Sequence, residues 1–260
     1  MELLFSIFEI FQQNYLLILA FFAVAILYSS VGFGGGTSYA ALLSLTNIPF
    51  VQFRAISLLC NITVVSNGSY IYAKNKLYNW KKVLPLVLFS VPFAFLGGFI
   101  KIEKRIFYLI LGISLLIAAI LMFISKYVVQ KKGSETVTKF SYFKNALFGG
   151  GIGFFSGMVG VGGGVFLAPL LHLTKWDSPK RIAATSSFFI LVNSIAGLIG
   201  QFQNPDFTIN IPLVICLIFA VFLGGQIGSK LSLKIDPKLI KIITAILIGF
   251  VGFRILWIWV

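Results

Sequence analysis

The chain has 260 residues, 58% of them hydrophobic and only 11% charged, with a mean hydropathy of +0.99. Soluble domains carry about 25% charged residues, so a soluble fold is excluded, and apolar runs that are continuous rather than alternating exclude a β-barrel. The formal charge of +14 fits lysines in cytoplasmic loops better than a nucleic-acid partner; what remains is an all-α polytopic membrane protein.

Residues 1–13 place Leu4, Ile7, Phe8 and Phe11 at helical spacing and predict an interfacial or continuing helix. Glu2 and Glu9 stand there without a Lys or Arg. There is no basic n-region of a signal peptide, and the first membrane helix is expected to do the targeting. Tyr15 to Ser30 is that helix. It runs into Val31-Gly32-Phe33-Gly34-Gly35-Gly36. Glycine inside a helix costs about 1 kcal/mol relative to alanine, so this run predicts a break. A break at membrane depth is tolerated only where it is buried or lines a cavity. Thr37 to Thr46 is then too short to cross. Ala55–Ala73, Lys81–Ile100 and Arg105–Ser125 are full spans, each near the ~20 residues a bilayer needs.

Residues 126–144 form a polar linker with Lys126, Lys131, Lys132, Lys139 and Lys144. The pattern then restarts. Ala146–Met158 leads into Val159-Gly160-Val161-Gly162-Gly163-Gly164, Val165–Thr174 is short, and Ile182–Gly200, Ile211–Ser229 and Leu239–Val260 are spans. An offset of 128 superposes the two glycine runs and pairs Ala40 with Ala168, Ala55 with Ala183, Ser57 with Thr185 and Ser66 with Ser194. An offset of 127 then pairs Pro85 with Pro212 and Leu96-Gly97-Gly98 with Leu223-Gly224-Gly225. The expected organisation is a first half over 1–125, the linker, and a second half over 145–260. Each half is a glycine-broken hairpin plus three transmembrane helices, giving eight full spans if each hairpin is counted once. Internal repeats of this kind characterise secondary transporters.

Loop charge orients the halves. Four stretches hold most of the 21 Lys and Arg: 74–82, the linker, 175–181, and 230–241. All four fall on one side, the cytoplasm, if each hairpin returns to the side it left. Each half then makes an odd number of crossings, and the halves are inverted repeats. Eight spans with parallel halves is the alternative.

The paired glycine segments, with Phe166-Leu167-Ala168-Pro169-Leu170-Leu171 after the second, resemble the TauE/SafE sulfite exporter family. So do the two-half layout and Ala184-Thr185-Ser186 opening the next span. The first motif departs from the second, with Ala41 where the second has Pro169. The resemblance covers roughly residues 15–260. It implies an eight-spanning protein of the cell (inner) membrane that moves sulfite or small organosulfonates, and it carries over no catalytic residue.

In a broken helix the first N–H groups after the break lack partners and carry the positive end of the helix dipole. Opposed half-helices starting at Thr37 and Val165 would make an anion site without a buried lysine. The competing reading is that the glycines only allow close helix packing. The candidate substrate-binding residues are Gly34, Gly35, Gly36, Thr37, Ser38, Gly162, Gly163, Gly164, Val165, Asn61, Thr185, Ser186 and Asn193. Ser29, Ser30, Ser66, Asn67, Ser156, Ser187 and Ser194 rank behind them. Arg54 and Arg181, at nearly equivalent positions, are a gating pair or interfacial anchors. His172 reads as interfacial.

All seven acidic residues fall at termini, loops or interfaces, which disfavours a carboxylate proton relay or cation pathway. No metal site, cofactor or nucleotide motif is expected, nor an enzyme. The expected partners are a small anionic substrate and the bilayer, and a homo-oligomer is compatible with the sequence. The function read here is a secondary transporter, in the export direction, of a small sulfur-containing anion by alternating access. An anion channel is the alternative. A thiol–disulfide carrier is a weaker one, since Cys60 and Cys216 are not repeat-equivalent and neither belongs to a C-x-x-C.

Overall fold

A computed structural model describes residues 2–30, 33–46, 48–125, 142–174, 176–205, 207–231 and 237–259. The described residues form ten helices and no strand. They are α1 (Glu2–Ser29), α2 (Gly36–Ser44), α3 (Phe50–Lys74), α4 (Trp80–Phe99), α5 (Lys104–Ser125), α6 (Tyr142–Val159), α7 (Gly164–Leu173), α8 (Pro179–Phe202), α9 (Ile211–Leu231) and α10 (Pro237–Trp259). Linker residues 126–141, and Val31 and Gly32 of the first glycine run, lie outside the described residues.

Five helices hold a stretch long and apolar enough to cross a bilayer: Phe5–Ser29, Trp80–Phe99, Lys104–Ile124, Lys180–Phe202 and Ile211–Lys230. Helix α3 is as long, at 25 residues, but its polar side chains lower its hydropathy. The expected starts at Ala55 and Ile182 are corrected to Phe50 and Pro179. Each helix begins beside a proline, Pro49 at the N-cap of α3 and Pro179 at the first turn of α8. Proline there loses no helical hydrogen bond. At Asn14 (φ −120°, ψ 20°) α1 kinks. The Asn14 side chain donates to Ile10 O at 3.1 Å across this kink, which falls inside the Phe5–Ser29 stretch.

Helix directions follow from which residues meet. Gly149, Gly153 and Gly157 of α6 face Leu86, Ser90 and Ala94 of α4 in turn, each with no room for a Cβ. The numbers rise together, so α4 and α6 run parallel. In the same way Gly224 and Gly228 of α9 face Phe22 and Ile26 of α1, and that pair is parallel too. Small residues at four-residue spacing let helix backbones approach closely inside a membrane. Helices α3 and α8 run the other way. Ser69 and Ser187 hydroxyls lie 3.0 Å apart while Leu58 meets Gly197. Helices α5 and α10 are also antiparallel: Tyr108 stacks on Trp259 with centroids 4.4 Å apart, and Ala119 meets Gly249.

One end of the bundle is tied by charge. Lys82, in the first turn of α4, reaches Asp177 Oδ2 at 3.1 Å and Trp176 O at 2.7 Å. Trp176 is fully buried, and its indole N–H donates to Asn145 Oδ1 of α6 at 3.3 Å. The loop before α8 and the loop before α4, two of the four basic stretches, therefore share an end. Nearby, Tyr78 donates to Ser69 O at 3.0 Å, and burial pushes its hydroxyl up to about 12, so it stays a neutral donor.

Candidate functional site

Each glycine run carries a left-handed glycine that precedes a short helix. Helix α2 is capped by Gly35 at φ 86° and α7 by Gly163 at φ 76°. The left-handed region is open to glycine and costly for other residues. Neither cap supplies a side-chain hydrogen bond. The first backbone bonds back to the caps come from Tyr39 in α2 and from Phe166 and Leu167 in α7. The N–H groups ahead of them, on Gly36, Thr37, Ser38, Gly164 and Val165, are the unpaired donors of two helix N-termini.

The runs are 128 residues apart in sequence and touch in space. A Cβ at Gly36 would lie 2.7 Å from Val161 O; at Gly162 it would lie 2.7 Å from Asn61 Nδ2, and at Gly34 2.5 Å from Asn61 Oδ1. Asn61, half-way along α3, is thus the side chain that both runs enclose, and Gly36 meets it as well. Ile190, half-way along α8, closes the other side against Gly34, Gly162 and Gly164.

Among the described residues, buried polar atoms with no protein partner include both carboxamide atoms of Asn61, the hydroxyls of Thr37, Tyr39, Ser57, Ser156, Thr185, Ser186 and Ser194, and Asn193 Oδ1. Of these, Asn61, Tyr39, Ser156 and Ser194 lie against the glycine runs. Such atoms carry a desolvation cost unless something pairs them. No carboxylate is among them. Donors on two helix ends with neutral hydroxyls and amides are suited to a compact anion.

The expected residues are placed as follows. Gly34, Gly35, Gly36, Thr37, Gly162, Gly163, Gly164 and Val165 form the paired turns, and Asn61 sits between them. Ser38 is engaged, its Oγ 2.7 Å from Tyr28 OH. Asn193 spends its amide donors on Ser90 Oγ at 3.0 Å and Phe189 O at 2.8 Å, and only its Oδ1 remains. Thr185 and Ser186 are buried on α8. Ser29, Ser30 and Ser66 donate to carbonyls of their own helices at Ile26, Leu27 and Ile62.

Arg54 and Arg181 are not a matched pair. Arg181 is exposed in the first turn of α8. Arg54 is buried, and its terminal nitrogens donate to the carbonyls of Gly97, Gly98, Ile100 and Gly157 at 2.8–3.2 Å. It binds the C-terminal ends of α4 and α6. Both cysteines are free and buried.

Sequence reasoning missed Tyr39, whose ring lies against Gly35 and stacks on Phe21 at 4.6 Å. It also missed Ile190. Position 62 is Ile190's repeat equivalent and is also isoleucine, a weak signal that it belongs to the duplicated element.

The family model "Sulfite exporter TauE/SafE" matches residues 17–255. A "probable membrane transporter protein" of Sinorhizobium fredii is 30% identical over 93% of this chain and 97% of its own. One of Methanocaldococcus jannaschii is 32% identical over 91% and 93%, and one of Bacillus subtilis 23% identical over 88% and 92%. No solved structure matches.

Proposed function

The chain belongs to the sulfite exporter TauE/SafE family, and from that premise we propose that it is a secondary transporter of a small sulfur-containing anion, sulfite or an organosulfonate, working in the export direction. The observation that carries this reading is the meeting of the two uncapped helix N-termini at Asn61. A lone helix end is a weak anion site. Two of them, converging on an orphaned buried amide with no carboxylate to oppose an anion, form a site with a preference. The site residues Thr37, Asn61, Thr185 and Ser186 are at most 1% exposed. That favours a carrier with an occluded state over an open channel. Flux in proteoliposomes tests it: saturable transport of sulfite or of a sulfonate is expected, with sulfate and carboxylates poorly carried. Saturable flux of none of the sulfur anions would sink the assignment.

Alternating access needs the site to face each side in turn, and inverted halves supply this. In this reading 1–125 and 145–260 are copies turned over relative to one another in the cell membrane. The support is that the repeat-equivalent helices α3 and α8 run antiparallel, as do α5 and α10. The ion pair of Lys82 with Asp177 joins two basic loops at one end, consistent with a cytoplasmic linker and termini outside. Single cysteines placed at Ser134, in the linker, and at Gln203, after α8, are therefore expected to react with an impermeant thiol reagent from opposite sides. Labelling of both from one side overturns the inversion.

A further inference from the structure

The two half-sites share a left-handed glycine at the helix cap, Gly35 and Gly163, but they differ in side chains. At the repeat offset, Thr37, Ser38, Tyr39 and Asn61 correspond to Val165, Phe166, Leu167 and Phe189. The Phe189 ring lies 2.9 Å from where Gly163 would carry a Cβ, so the second half presents hydrocarbon where the first presents Asn61. Asn61 is present once and unmatched, and it is fully buried with both carboxamide atoms unpartnered.

Two demands follow. The first is charge. Each helix N-terminus is worth about half an elementary positive charge, so the pair balances one negative charge rather than two. Among the described residues no Lys, and no Arg other than Arg54, belongs to the buried set. Arg54 has its terminal nitrogens on carbonyls, two turns before Asn61 along α3. The second demand is hydrogen bonding. The N–H groups of Gly36, Thr37 and Ser38 and the Asn61 amine need acceptors. The hydroxyls of Thr37, Tyr39, Thr185, Ser186 and Ser194 can turn to donate or accept. The Asn61 carbonyl oxygen can only accept. Exchanging the two ends of the carboxamide leaves the demand unchanged. None of the hydroxyls bonds to Asn61, whose carboxamide atoms have no protein partner, so a fully deprotonated oxyanion, which offers acceptors only, leaves that oxygen buried and unpaired.

Resting on the transporter reading above, we propose that Asn61 selects for a monoanion that carries one hydrogen-bond donor beside its acceptor oxygens. Its head is an acid oxyanion such as hydrogen sulfite, or a sulfonate bearing a hydroxyl close to the sulfur. The Asn61 amine and the α2 N–H groups hold the anionic oxygens, and the Asn61 carbonyl accepts the ligand's O–H.

The test uses the full chain in proteoliposomes and a pair of probes of equal size, 2-hydroxyethanesulfonate and propane-1-sulfonate, which exchange a hydroxyl for a methyl. Hydrogen sulfite is the third arm. The hydroxylated sulfonate is expected to be carried with kcat/KM at least about tenfold above its methyl isostere, because a site built to bond a hydroxyl rejects the analogue that lacks it. In Asn61→Leu that preference is expected to disappear. Hydrogen sulfite carried with both sulfonates refused assigns the donor to an acid oxyanion. Equal transport of the two sulfonates by the unaltered protein overturns the selection while leaving it a transporter. No saturable flux in any arm overturns the transporter reading and the selection together.

Discussion

Gly36→Ala is expected to reduce flux at least about 100-fold while the protein still inserts and folds; an error of about 1 Å in a constellation that must converge is enough for such a loss. Its Cβ would fall 2.7 Å from Val161 O, a backbone atom of the opposite glycine run, and closer still to the Asn61 amide. A side chain could swing away, but a backbone carbonyl held in a turn with Gly160, Gly162 and Gly163 at positive φ has no such freedom. The methyl group therefore separates the two helix ends that are meant to share a ligand. The fitting control is Gly151→Ala, where nothing lies within 4 Å of the new Cβ and alanine is the better helix former by about 1 kcal/mol. Flux through Gly151→Ala should match the unaltered protein. If Gly36→Ala transports at the same rate, the meeting of the two runs is packing and not a site.

What could be read in the sequence divides along a physical line. Hydropathy and glycine runs report on local structure, so the ten segments lie close to where they were expected. The breaks come between Ser29 and Gly36 and between Val159 and Gly164, as the glycines required. Asn61 was a candidate because an amide in a membrane span is costly. Its place between the runs depends on α3 crossing α8 antiparallel, and no local pattern encodes that. The glycine stripe Gly149, Gly153, Gly157 illustrates the same limit. Gly149, Gly150 and Gly151 are contiguous as well, yet α6 runs through them unbroken. What separates the two uses is the left-handed backbone of Gly35, Gly162 and Gly163, which glycine content alone does not encode. Arg54 reads as one of a gating pair or as an interfacial anchor, and its clamp on α4 and α6 goes unseen, because its partners are main-chain carbonyls 43 to 103 residues away. Carbonyls leave no mark in a sequence.

That arginine carries the largest expected effect on stability. The last carbonyls of a helix have no intrahelical partners and form the negative end of its dipole. Those of α4 and α6 finish side by side, in a buried place. Arg54 answers both with one planar fork, at 2.9 Å to Gly97 O, 2.8 Å to Gly98 O and 3.2 Å to Gly157 O, with Ile100 O at 3.2 Å. The backbone comes close here as well: Gly160, at φ 79°, leaves only 2.5 Å between the position of a Cβ and Arg54 Cα. Alanine at position 54 would strand these carbonyls and open a cavity. Each buried carbonyl left without a donor costs about 1–3 kcal/mol, and several at once, with a cavity, put this among the large single-residue losses. Arg54→Ala is therefore expected to melt far below the unaltered protein in detergent, or to fail to accumulate. Arg54→Lys should recover part of the loss, since an ammonium reaches fewer carbonyls than a guanidinium fork does. Arg181→Ala, at an exposed position, should stay within about 0.5 kcal/mol. An Arg54→Ala protein that melts normally and is altered only in flux would make Arg54 a gate after all. The expected result instead makes it the clamp that holds the ends of α4 and α6 together, beside the turn that presents Gly162 to Asn61.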